Sequence, residues 1–69
     1  MAEYLGIITM DSGEYYYVER QNDKLVAGSA CNWGIMPEVE IEYDNGISTD
    51  SNLERLYEAL QEYDYSKSA

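Results

Sequence analysis

The stretch "PEVEIEYDNGISTDSNLERLYEALQEY", Pro37 to Tyr63, changes its hydrophobic period halfway along, and that change decides the fold. From Glu38 to Tyr43 the residues alternate strictly, with Val39, Ile41 and Tyr43 on one side and Glu38, Glu40 and Glu42 on the other. A period of two belongs to a half-buried β-strand, so the apolar set is expected to face a core and the carboxylates to face water. Asp44, Asn45 and Gly46 then supply turn chemistry. Beyond them Leu53, Leu56, Tyr57, Leu60 and Tyr63 fall on one stripe of an α-helix. Ser51 followed by Glu54 reads as a capping box, with Asp50 adding negative charge at the helix start. The spacing predicts a helix over about 52–63, with the tail 64–69 frayed.

Upstream, "EYLGIITM" is rich in β-branched and apolar residues and ends in the turn residues Asp11, Ser12 and Gly13. "EYYYVER" follows, with Tyr15 and Tyr17 pointing one way and Tyr16 and Val18 the other, and "QND" ends it. "KLVAGSAC" is a weaker strand, because Gly28, Ser29 and Ala30 offer little side-chain packing and let another element approach. "NWGIMP" reads as a loop or crossover. Strands are thus expected over about 3–10, 14–20, 24–30 and 38–43 within one domain, 1–69. The fold class is α+β: a three- to four-stranded antiparallel β-meander with one C-terminal amphipathic helix packed on one face, the other face remaining wet.

Sixty-nine residues allow one small core and a thin stability margin. Fourteen acids against Arg20, Lys24, Arg55 and Lys67 give a formal charge of −10. Residues 1–34 hold five acids and two bases and residues 35–69 hold nine and two, so the acidity belongs mainly to the second half. Four scattered bases cannot neutralise a row of phosphates, which excludes direct nucleic-acid binding and disfavours an anionic membrane. Hydrophobic content of 45%, eight tyrosines and one proline argue for an ordered chain. With one cysteine and no histidine, an intramolecular disulfide is impossible and zinc and haem lose their usual ligands; no cofactor and no metal is expected. The N-terminal residues lack the charged and apolar regions of a signal peptide, so a cytoplasmic location, in a bacterial host cell, is the expectation.

Candidate binding residues lie mainly in the acidic half. Outward carboxylates on a strand stand about 6.6 to 6.8 Å apart, of the order of phosphate spacing, so Glu38, Glu40, Glu42 and Asp44 form a ladder that imitates a phosphate backbone or simply solvates a face. Glu54, Glu58 and Glu62 make a second row at helical spacing, opposed only by Arg55, although like charges there weaken a helix. Two rows of one sign suggest a field aimed at a basic partner. Tyr15, Tyr16 and Tyr17 must put a ring on each sheet face, as interface contacts or as cross-strand packing. Trp33 reads first as a core filler, with an exposed anchor as the alternative, and Cys31 as a small buried residue without a base to activate it. The loop from Asp44 to Asn52 lacks the alternating ligands and terminal Glu of an EF-hand. No nucleophile motif, Walker A or dinucleotide fingerprint is present, and a small sheet with one helix is expected to lack a substrate cleft, so no catalytic residue and no enzymatic activity are expected.

In size, acidity and a meander followed by a helix, the chain resembles in general character the small inhibitor proteins that bacteriophages and mobile elements use against host nucleic-acid enzymes. These include anti-CRISPR, anti-restriction and glycosylase-inhibitor proteins, several of which imitate DNA. The resemblance carries no residue-level motif and transfers no site residues. It implies a non-enzymatic inhibitor that docks on the basic nucleic-acid-binding surface of a host protein such as a nuclease. An immunity or antitoxin-like protein directed at one toxin is the alternative, as is an adaptor that pairs through a sheet edge or forms a homodimer across its tyrosine face.

Overall fold

The computed structural model describes residues 2–32 and 34–68. Trp33, and with it the choice between core filler and anchor, lies outside these residues, as does the side chain of Cys31. Four strands, β1 (Ala2–Thr9), β2 (Tyr15–Gln21), β3 (Lys24–Cys31) and β4 (Gly34–Glu42), precede one helix, α1 (Thr49–Ser68). The strands pair antiparallel in the order β1-β2-β3-β4, a meander, which is the α+β architecture expected. α1 lies on one face, and the resulting two layers fill 34 × 28 × 15 Å. No helix among the described residues is long and apolar enough to cross a membrane.

The core sits between sheet and helix. Tyr16, Val18, Leu25 and Ala27 from the central strands meet Leu56 and Leu60 of α1, flanked by Leu5, Ile8, Val39, Ile41, Leu53, Tyr57 and Tyr63. Leu56 and Leu60 are fully buried, each worth about 1.5 to 3 kcal/mol relative to exposure. The stripe that the helical period marks is therefore the stripe that packs.

Two irregularities set which side chains face where. In β1 the register slips between Tyr4 and Gly6, so Leu5 is the extra residue of a bulge; Tyr4 points to the open face while Leu5 reaches the core. Gly6 has φ +119°, a conformation that costs an L side chain and not glycine. In β4 a second slip makes Glu38 the extra residue, since Ala27 faces Val39 and Gly28 already faces Pro37. A Cβ at Gly28 would collide with the carbonyl of Met36, so the small residue of β3 is what admits the bulged strand.

Three sequence-based expectations change. From Gly34 on, "NWGIMP" is strand rather than crossover: β4 begins at Gly34 and pairs back on β3, with Gly34 opposite Cys31. The helix starts three residues before the predicted Asn52, at Thr49, and Ser48 rather than Ser51 caps it, its Oγ accepting the Ser51 N–H at 3.1 Å while its carbonyl accepts the Asn52 N–H at 3.1 Å. The tail does not fray at Asp64 but stays helical to Ser68, because Asp64 and Lys67 are tied to the strand layer.

Candidate interaction surface

The open face of the sheet carries an aromatic cluster. Tyr15 and Tyr17 alternate with the buried Tyr16 on β2, and across the ladder Ile7 stands opposite Tyr17. Tyr4 and Tyr17 have ring centroids 6.4 Å apart, and Tyr15 and Tyr17 meet edge-on at 5.9 Å. No helix covers these rings: Tyr4 is 59%, Tyr15 55% and Ile7 52% exposed. Val26, in register between Glu19 and Glu40, is buried yet stands apart from the helix-side core, so the neighbouring side chains of the open face close over it. Around this centre lie Glu19, Glu40 and Glu42, with Lys24 paired to Glu40 at 3.2 Å.

The acidic ladder is shorter than its alternation predicts. The bulge turns Glu38 to the helix side, where it accepts the Tyr63 hydroxyl at 2.6 Å and the Ser29 hydroxyl at 2.9 Å. The Tyr63 hydrogen bond, aided by Ser29 and the Lys67 charge against partial burial, holds the Glu38 carboxyl below its ordinary range and raises the Tyr63 phenol. Glu40 and Glu42 alone form the outward pair. Asp44 has left the strand: its carboxylate accepts the Gly46 N–H at 2.8 Å in the loop before α1. Glu54, Glu58 and Glu62 are exposed on α1, in the layer opposite Glu40 and Glu42, so the two rows do not share a surface.

Tyr16 is likewise no contact residue. Its hydroxyl donates to Asp64 at 3.3 Å and receives Lys67 Nζ at 3.5 Å, and Ser12 donates to the other Asp64 oxygen at 2.7 Å. Burial pushes the Tyr16 phenol up, and the hydrogen bond to Tyr16 raises Lys67. With Tyr63 edge-on to Tyr16 at 6.2 Å, this network fastens the end of α1 to the β1–β2 turn. At the other end Asn52, fully buried, accepts the Asp44 N–H at 2.9 Å and donates to the carbonyls of Asp44 at 2.9 Å and Ser48 at 3.0 Å. Arg55 reaches Asn52 and the Glu42 carbonyl, and Arg20 stacks 3.9 Å over the Tyr43 ring. Each of the four cations is thus engaged within the molecule.

An open surface groove, rather than an enclosed cleft, lies on the helix side of the layer. α1 packs over β3 and β4 and leaves the β1 side of the layer uncovered, where a groove of about 710 Å³ runs between Ile8 and the helix. It is lined by Leu53, Tyr57 and Gln61 with Asp50, Glu54 and Glu58 along its helical wall. No group of three His, Cys, Asp or Glu side chains among the described residues is placed to hold a metal ion. The exposed residues that the sequence reading missed, Tyr4 and Ile7, share the first strand with core residues, and only the bulge at Leu5 reveals which face each takes. Comparison with protein-family models, with curated proteins and with solved structures finds no match to this chain.

Proposed function

We propose that this chain is a non-enzymatic binding protein that lays its open sheet face on a basic surface of a partner protein and thereby blocks it. The observation that carries the reading is the cluster of exposed Tyr4, Ile7 and Tyr15 around the half-buried Tyr17, bordered by Glu19, Glu40 and Glu42 on a chain of formal charge −10. Tyrosines supply rigid contact area that loses little entropy on docking. Carboxylates around them speed encounter with a cationic surface and reject an anionic one. A nucleic-acid-binding protein of a bacterial cell, such as a nuclease, presents such a surface, and a cytoplasmic inhibitor is the role that fits it.

The test is affinity capture from bacterial lysate with the wild type and with a Tyr4→Ala/Tyr15→Ala variant in parallel. The expected result is a protein retained by the wild type, released by duplex DNA and by raising salt from about 0.01 to 0.15 M, which shortens the Debye length from about 30 to 8 Å, and lost with the variant. Equal retention by the variant, or retention indifferent to DNA and salt, would overturn the proposal.

A further inference from the structure

The groove between α1 and β1 matches one kind of ligand in spacing, charge and apolar lining. Asp50, Glu54 and Glu58 stand one turn apart along α1, about 6 Å at 1.5 Å of rise per residue. Alternate side chains of an extended chain stand about 6.7 Å apart on one side. Over three positions the two repeats drift by little more than 1 Å, well within the reach of a long side chain. The wall bears no cation of this chain: Arg20 lies on Tyr43, Lys24 on Glu40, Arg55 against Asn52 and Lys67 on Tyr16. The floor, Ile8, Leu53 and Tyr57, is apolar, suited to the methylene stems of Lys or Arg whose heads stay at the carboxylates.

The strand layer offers the backbone partner. Of its two edges, β4 carries Pro37, which has no N–H, and the Glu38 bulge, both of which discourage pairing. β1 is the other edge, and from Gly6 to Thr9 its pairing with β2 is regular, beside the groove that Ile8 lines. From Asp50 to Gln61 α1 rises about 16 Å, the length of about five extended residues. A second copy of this chain would bring another −10 to the same wall, and nucleic acid has the same sign.

We infer that this groove receives an extended segment of the partner protein that adds to the free edge of β1, with Lys or Arg at three alternate positions directed at Asp50, Glu54 and Glu58. Its remaining side chains continue the open face beside Tyr4 and Ile7. The inference rests on the reading of the partner as a basic protein and adds the form in which its charge is presented.

The probe is an eight-residue peptide alternating Arg and Val, with its isomer of four consecutive Arg and four consecutive Val as control, titrated against the full chain and followed by amide NMR and calorimetry. The alternating peptide should bind about tenfold more tightly than the isomer, shift amides of 6–9 and 50–61, and slow hydrogen exchange along 6–9. Glu54→Gln with Glu58→Gln, exposed substitutions that relieve a like-charge repeat, should weaken it about tenfold while circular dichroism stays unchanged. Equal binding of the isomer, or shifts centred on Tyr15, Tyr17 and Glu40, would overturn the inference. If the peptide leaves the groove untouched while capture through Tyr4 and Tyr15 still responds to DNA, this inference falls and the proposed function stands. If the peptide binds as expected and no basic partner is captured, the proposed function falls and the groove stands.

Discussion

Replacing Asn52 by alanine should cost this small domain a large part of its stability. The side chain is fully buried and makes four hydrogen bonds: it accepts from the Asp44 N–H and from Arg55, and donates to the carbonyls of Asp44 and Ser48. A net value of about 0.5 to 1.5 kcal/mol for each bond sets a range of about 2 to 6 kcal/mol. Asp44 and Ser48 are exposed, so their freed backbone groups rehydrate and the lower part of that range, about 2 to 3 kcal/mol, is expected. Against a total of roughly 3 to 10 kcal/mol for a chain of this length, such a loss is visible in any equilibrium experiment. Urea unfolding followed by circular dichroism at 222 nm is the assay; with a slope of about 1 kcal/mol/M the midpoint should fall by about 2 to 3 M. A fall of less than about 0.5 M at unchanged slope would refute the claim that Asn52 ties the end of β4 to the first turn of α1.

Ser48→Ala should cost about 1 kcal/mol by removing the cap of α1, while Ser51→Ala, at a position inside the helix, costs less; the two urea midpoints decide between them. Gly28→Ala drives a methyl into the Met36 carbonyl and against its carbon at 2.8 Å, so β4 must move, and a loss of about 3 kcal/mol or more is expected in the same assay. The Glu38 carboxyl has its folded value lowered, first by Tyr63, so its contribution is fully present above the unfolded value near 4.5 and is lost as pH falls through the folded one. Stability of Glu38→Gln should therefore fall less steeply than that of the wild type as pH drops below 4.5, and parallel curves would show that the Tyr63 contact carries no such linkage.

What could be read from the chain was what periodicity encodes. The switch from alternation at Val39, Ile41 and Tyr43 to the helical stripe of Leu53, Leu56 and Leu60 marked the layer architecture and the core face of each element. Tyr15, Tyr16 and Tyr17 likewise divide between faces as alternation requires. Glu38 defeated the same rule, because a bulge adds one residue to a strand and reverses every facing upstream of it. The sign of that bulge in the chain is indirect, a glycine at position 28 and a proline at 37 that meet only once the strands pair. The start of the helix escapes the sequence for a different reason: Ser48 and Ser51 are equivalent caps by residue type, and the choice is made by Asn52 reaching Asp44 across the loop. The last turn survives through Asp64 and Lys67, whose partners Ser12 and Tyr16 lie about fifty residues away. Amphipathicity tells which face of a helix is buried, not where the helix rests across a sheet, so the groove beside β1 left no periodic trace.

The central claim, that this protein blocks a basic nucleic-acid-binding surface, is tested most directly by competition. A partner recovered through the tyrosine face is purified and loaded with fluorescently labelled duplex DNA, and anisotropy is followed as this protein is added. Stoichiometric release of the DNA, weakened by salt and by Tyr4→Ala/Tyr15→Ala, is the predicted result. DNA that stays bound while this protein joins it in a ternary complex would contradict the account.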